Sequence, residues 1–68
     1  MASSVQVMTR QFVEQDGGEE CLVIVRTGPG WVALALSRRS DGDVEVFMPP
    51  TEVEALVSAL QQALLAVE

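Results

Sequence analysis

The chain has 68 residues and a formal net charge of −6, with four arginines, one cysteine, no lysine and no histidine. A sequence of this length forms one domain, so we expect residues 1–68 to fold as a single unit that is only marginally stable when it stands alone. The lone cysteine excludes an internal disulfide, and the scarcity of cationic side chains argues against direct binding of DNA or RNA.

Four segments have the apolar, β-branched composition of strands. They cover residues 5–14, 20–26, 31–37 and 44–48. Simple alternation along the first strand places Val5, Val7 and Val13 on one face and Met8 and Phe12 on the other. The turns between the strands contain Asp16-Gly17, Pro29-Gly30 and Asp41-Gly42. Because every connection is short, consecutive strands are expected to pair antiparallel, which predicts a meander.

The period of the apolar residues changes after the fourth strand, where Pro49 and Pro50 end the β pattern. Residues 52–67 are predicted to form a helix, because apolar residues recur there at helical spacing. Its apolar stripe contains Val53, Leu56, Val57, Leu60 and Leu64. Thr51 and Glu54 have the spacing of a capping box, in which each side chain bonds to the backbone N–H of the other residue. The predicted fold class is therefore α+β, in the order ββββα.

The third strand is apolar on both sides, which raises the question of what covers the sheet. Trp31 points to one face, and Leu34 and Leu36 point to the other. One helix is expected to cover one face of a four-stranded sheet, which leaves a second apolar face. Such a patch is rare on a monomer, so we predict a homodimer in which a second chain covers it. The alternative is that the first strand folds over the second face and closes a small barrel.

The residues predicted to form the core and the dimer interface come from the third strand and the helix. They are Trp31, Leu34, Leu36, Val53, Leu56, Val57, Leu60 and Leu64. Trp31 has a second interpretation, as a hot spot for a partner protein, because tryptophan is enriched at such positions. Small residues on the back of the helix, such as Ala55 and Ala59, would permit the close approach of another helix.

The loop before the fourth strand carries charges of both signs, on Arg38, Arg39, Asp41 and Asp43. One interpretation is a solvated turn with local charge pairing. The other is a small contact site for phosphate or for an acidic partner. We predict that the surface for a partner protein consists of this loop and the back of the helix.

Side chains that perform catalysis are scarce. Cys21, the one strong nucleophile, has no histidine to activate it, and the carboxylates lie in turns or at the start of the helix. Neither glycine-rich turn precedes a helix, as a phosphate-binding loop does. We therefore expect no enzymatic activity, no cofactor and no metal site.

Composition also bears on where the protein works. A single cysteine and the lack of a secretory start predict a cytoplasmic protein. No apolar run approaches the length of a membrane span, so we expect no membrane segment. Lysine, asparagine and tyrosine, whose codons are rich in A and T, are absent. Their absence indicates a GC-rich bacterial genome, such as that of an actinobacterium.

From Cys21 onward the sequence resembles the small actinobacterial regulators typified by BldB. The matching features are a strand that starts with a cysteine, Val32-Ala33-Leu34 with Ser37, the Asp41-Gly42 turn, Val44, Phe47, and a helix led by Pro49. The resemblance covers about half of the chain. It implies a cytoplasmic, non-enzymatic dimer that controls transcription or development through a protein partner, such as a helix-turn-helix regulator.

The ββββα order is also similar to that of PC4-like single-stranded DNA binders, which dimerise through their helices. Such binding uses a basic groove studded with aromatic side chains. This chain has four arginines, one tryptophan and two phenylalanines against ten acidic residues. The predicted function is therefore a small acidic homodimeric protein-interaction module in bacterial transcription control, and single-stranded nucleic-acid binding is the alternative.

Overall fold

The computed structural model of the protein describes residues 4–67, which form four strands and one helix in the predicted order. The elements are β1 (Val5–Val13), β2 (Glu20–Gly28), β3 (Trp31–Arg38), β4 (Gly42–Met48) and α1 (Pro50–Ala66). The strands form one antiparallel sheet in which each strand pairs with its neighbours in sequence. The predicted α+β meander is confirmed, as its short connections require.

The turns on either side of β3 fix the register of the sheet. Gly28 pairs with Trp31 at the end of the β2–β3 hairpin. Between them, Pro29 presets the first φ of a two-residue turn, and Gly30 takes the left-handed φ of 76° that the second position requires. The β3–β4 turn ends on Gly42, whose φ is 80°. β2 and β4 extend beyond the predicted bounds because these turn glycines still pair with β3.

β1 contains a bulge near its start, between Gln6 and Met8. Val5 pairs with Thr27 before the bulge, and Met8 pairs with Val25 after it. A bulge adds one residue to one strand, so Val5 and Met8 come to lie on the same face of the sheet. The prediction from simple alternation, which separates these two residues, is wrong at this point.

α1 begins earlier than predicted, and its first turn is built differently. Pro50 is the first helical residue, and Pro49 stands at the N-cap with φ −70° and ψ 158°. Proline suits the first helical position because its φ is already helical and its missing N–H would have no partner there. The capping box predicted for Thr51 and Glu54 is wrong, since no side chain caps the described helix and Thr51 already lies inside the first turn.

α1 leaves most of the sheet uncovered. Among the described elements it contacts only β3 and β4, and none of its described residues is buried. Its least exposed side chains are those of Val53 and Leu56, near its start. The prediction that the helix covers one face of the sheet is therefore wrong for a single chain.

The sheet is open and thin. Within residues 4–67, β1 pairs only with β2 and β4 only with β3, so the alternative of a closed barrel is wrong. The radius of gyration is 13.6 Å, whereas a compact domain of this length has about 11 Å. The apolar side chains that are buried among the described residues belong to Cys21 and Ala33. One chain thus has almost no core of its own.

Candidate protein-interaction surface

The register of the strands collects large apolar side chains on one side of the sheet, which we call the apolar face. Residues directly opposite each other in neighbouring strands share a face, so the pairing defines its members. They are Val5, Met8, Phe12, Cys21, Val23, Val25, Val32, Leu34, Leu36, Val44, Val46 and Met48. Phe12, Leu36 and Val46 are 49%, 44% and 51% exposed, so the face has no complete cover in a single chain.

Two rows of side chains cross the middle of the apolar face. One row is apolar on all four strands and consists of Met8, Val25, Leu34 and Val46. The next row is apolar on three strands and ends on a cation at the β1 edge, with the members Arg10, Val23, Leu36 and Val44. Along each strand of a sheet that faces water on one side, apolar and polar side chains normally alternate. Rows that are apolar across neighbouring strands are therefore typical of the face that packs against another surface.

A second uncovered apolar surface is the helix stripe, formed by Val53, Leu56, Val57, Leu60 and Leu64. Val53 and Leu56 are half-buried near the start of α1. Exposure then rises along the stripe, to 57% at Leu60 and 73% at Leu64. The apolar side that the sequence predicted for the helix is therefore present, but it is increasingly open toward the carboxyl end.

Trp31 lies on the opposite side of the sheet, which we call the mixed face because it carries polar, aliphatic and aromatic side chains. Its ring meets Phe47 edge to face, with ring centroids 5.0 Å apart. It also lies against Gly28, where an added Cβ would overlap the ring. The predicted interface set is thus divided, with Leu34 and Leu36 on the apolar face and Trp31 on the mixed face.

Polar side chains of the mixed face are bonded to one another. Arg26 forms an ion pair with Glu45 across β3, and its Nε donates to a carboxylate oxygen at 3.0 Å. Ser37 Oγ donates to the Asp43 carboxylate at 2.6 Å. Ala33, in the same face of the central strand β3, is fully buried. The mixed face therefore satisfies much of its polar chemistry within one chain, unlike the apolar face.

At the end of the sheet away from α1, Arg38 joins two turns in what we call the Arg38 cluster. Its guanidinium lies 3.2 Å from Glu14, 3.3 Å from Glu19 and 2.9 Å from Asp41. The Ser40 N–H donates to Glu19 at 2.6 Å. Hydrogen bonding by Ser40, together with the charge of Arg38, holds the pKa of Glu19 below its usual value. The carboxylates of Glu14 and Asp41 raise the pKa of Arg38.

The charged loop residues predicted to contact a partner have different surroundings. Arg38 and Asp41 belong to the Arg38 cluster, and Asp43 is bonded to Ser37. Arg39 is more accessible than Arg38, with 78% of its side chain exposed and its nearest carboxylate, that of Glu20, 3.7 Å away. The local charge pairing expected of a solvated turn is present, and the partner contact stays a prediction that depends mainly on Arg39.

Sequence reasoning missed part of the apolar face. Met8 and Phe12 of β1 and Val44 and Val46 of β4 were not among the predicted interface residues. The alternation of the two valines around Glu45 is the signal that identifies them. In β1, simple alternation already places Met8 and Phe12 on one face, but the charged Arg10 between them weakens the apolar signal.

Comparison with known proteins gives no match to a family model, to a curated protein or to a solved structure. The resemblances to BldB-like regulators and to PC4-like binders therefore stay predictions. Within residues 4–67, no helix has both the length and the apolarity that crossing a lipid bilayer requires. Function has to be inferred from the surfaces of the chain itself.

Proposed function

We propose that the protein is a small acidic homodimeric protein-interaction module, which works in the cytoplasm and controls bacterial transcription through a protein partner. The observation that supports self-association is the exposed apolar face, together with the exposed helix stripe. A monomer rarely leaves a contiguous apolar patch of more than a few hundred Å² open to water. A second copy of the chain offers the same two surfaces and can bury them symmetrically.

The accessible area of the chain supports an obligate pair. One chain exposes 5449 Å², whereas a compact protein of 7.3 kDa exposes about 4,200 Å². Two chains that form a compact particle of twice this mass expose about 6,900 Å² in total, so pairing removes about 4,000 Å² from water. This area falls within the range of about 2,000–5,000 Å² that is typical of obligate homodimers.

The charge of the protein favours a basic protein as the further partner. Arg26, Arg38 and Arg39 lie beside carboxylates of the same chain, and the net charge is −6 per chain. DNA-binding domains such as the helix-turn-helix carry basic surfaces for phosphate. An acidic dimer is complementary to such a surface and competes with DNA for it. This complementarity supports control of transcription by contact with a DNA-binding protein.

Light scattering after size exclusion tests self-association. We expect a mass of two chains, each of 7.3 kDa, that persists when the protein is diluted from high to low micromolar concentration. A mass of one chain across that range would overturn the homodimer.

The regulatory part of the proposal needs a separate experiment. A helix-turn-helix protein that co-purifies with the chain from its host is isolated, and its affinity for DNA is measured with and without the dimer. We expect the dimer to weaken DNA binding, and more strongly at low salt. An unchanged affinity at every salt concentration would contradict regulation by this route.

Single-stranded nucleic-acid binding is the second candidate, because Trp31 and Phe47 place an aromatic pair on one face of an open sheet. The neighbouring Arg26 is already paired with Glu45, whereas phosphate binding needs available cations. Fluorescence anisotropy of a labelled single-stranded oligonucleotide separates the two candidates. Binding that weakens as salt rises would favour the nucleic-acid binder, and no binding at low salt would favour the protein-interaction module.

A further inference from the structure

We propose that the dimer forms by exchange of helices, so that α1 of each protomer lies across the apolar face of its partner. This inference rests on the proposed homodimer and adds which surfaces meet. The two other symmetric arrangements bury helix stripe against helix stripe, or apolar face against apolar face. Three features favour the exchange. They are the stiff joint between β4 and α1 at Met48, Pro49 and Pro50, the length of the helix stripe, and the position of Arg10.

The joint between β4 and α1 is stiff. The rings of Pro49 and Pro50 fix two successive φ angles, and a residue that precedes proline is confined to an extended ψ. Met48 and Pro49 both precede a proline, and the ψ of Pro49 is 158°. The joint therefore fixes the direction in which α1 leaves the sheet. Since α1 contacts only β3 and β4 among the described elements, the part of the apolar face on β1 and β2 needs a cover from outside the chain.

The length of the helix stripe matches the width of that face. α1 has 17 residues, which corresponds to a length of about 25 Å. From Val53 to Leu64 the stripe extends about 16 Å along the helix axis. Four strands place their outer axes about 14 Å apart. A helix that crosses the sheet of the partner therefore covers both apolar rows and reaches the β1 edge.

Arg10 indicates which end of the partner's helix lies at the β1 edge. It lies on the apolar face opposite Val23, and within residues 4–67 it forms no ion pair. Covering a cation with an apolar surface costs free energy unless a negative group accompanies the cover. The carboxyl end of a helix carries partial negative charge, and the last turn of α1 has no basic residue. The carboxyl end of the partner's helix thus lies over Arg10 and Phe12.

Cysteine cross-linking between two distinguishable chains tests this arrangement. In a Cys21→Ala background, one chain carries Phe12→Cys and an affinity tag, and the other carries Leu64→Cys. The chains are unfolded together, refolded and treated with a short bismaleimide, and we expect a covalent heterodimer as the main product. In the matched control, Thr9→Cys replaces Phe12→Cys on the same strand; Thr9 pairs with Ile24 on the mixed face, so we expect the heterodimer to be lost.

The mass of the Cys21→Ala protein without added cysteines is measured in parallel. This measurement distinguishes a failure of the proposed homodimer from a failure of the helix exchange alone. A monomeric mass overturns the homodimer and the exchange together. A dimeric mass with products only between two Leu64→Cys chains indicates helix against helix. Products only between two Phe12→Cys chains indicate face against face. Either result overturns the exchange and leaves the homodimer standing.

A charge reversal tests the direction of the helix. We expect Arg10→Glu to raise the dissociation constant of the dimer by about tenfold or more, as the loss of a desolvated charge contact does. Arg39→Glu makes the same change of charge on the exposed loop, and we expect the dissociation constant to stay close to that of the parent protein. Equal effects of the two reversals would overturn the placement of the helix end over Arg10.

Discussion

Trp31 and Phe47 meet edge to face, with 73° between their ring planes, on the opposite side of the sheet from Leu34 and Leu36. The aromatic pair therefore stabilises the mixed face within one chain, whereas the two leucines belong to the exposed apolar face. Trp31 is also the single tryptophan of the sequence, so its fluorescence reports on the mixed face alone. The two faces can thus be probed independently.

Phe47→Ala is expected to lower the free energy of unfolding by about 1 kcal/mol, through loss of the edge-to-face contact and its buried area. It should also shift the emission of Trp31 to the red and leave the dimer mass unchanged. Phe12→Ala is the matched substitution, since Phe12 is similarly exposed but lies on the apolar face. We expect it to weaken the dimer on dilution without moving the emission of folded protein. Equal effects of both substitutions on assembly would contradict the division between the faces.

Gly28→Ala places a methyl group where the ring of Trp31 lies. We expect it to destabilise the fold by about 1–3 kcal/mol, as overpacking commonly does, with a change in Trp31 emission. Urea unfolding of Gly28→Ala, of Trp31→Leu and of the double variant gives the coupling free energy between the two substitutions. If the overlap is the cause, Gly28→Ala costs much less in the Trp31→Leu background; an undiminished cost would point to the backbone instead.

Replacing Leu60 and Leu64 together by Asp puts two charges in the helix stripe. We expect loss of dimerisation or of folding, seen by light scattering and circular dichroism, because charged side chains cannot be buried there without partners. Replacing Gln61 and Gln62 by Asp adds the same charge to α1 outside the stripe, and the dimer should persist. A folded and fully assembled Leu60→Asp, Leu64→Asp variant would show that the stripe takes no part in the interface.

The pH dependence of stability tests the Arg38 cluster. A carboxylate whose pKa is lower in the folded than in the unfolded protein stabilises the fold above its usual value, near 4.5 for Glu19, and loses that contribution as the pH falls through the lowered value. Glu19→Gln should therefore be less stable than the parent protein near neutral pH, and the difference should shrink at an acidic pH below the usual pKa of glutamate. Urea unfolding at both pH values measures it, and a difference that does not change with pH would exclude titration of Glu19 as the cause.

The strand order and the turns follow from local sequence. Pro29 and Gly30 have the backbone preferences of the turn that they form, and the alternation of valines with Glu45 in β4 identifies the two faces of the sheet. The start of α1 was less predictable, because Thr51 and Glu54 have the spacing of a capping box whether or not the helix has already begun. In this chain the helix begins at Pro50, whose ring fixes a helical φ, so Thr51 already lies inside the first turn.

The position of the helix was beyond what periodicity can predict. The spacing from Val53 to Leu64 shows which side of α1 is apolar, but it does not show which surface meets that side. That depends on the direction of the chain at Pro49 and Pro50. The bulge near Met8 is similar in kind, since it depends on how β1 pairs with β2 and has no signal within β1 alone.

If the protein forms the proposed homodimer, its exposed apolar face makes the stability of each chain depend on the concentration of other copies. Among the described residues of a single chain, six members of the apolar face and three of the helix stripe are more than a third exposed. If assembly covers them, mass action makes the folded state more stable as the chain becomes more abundant. Newly made copies then meet chaperones and proteases before they meet one another, and scarce chains are removed. The proposed module would then take effect only above a threshold of synthesis, and its gene dosage would become part of its control.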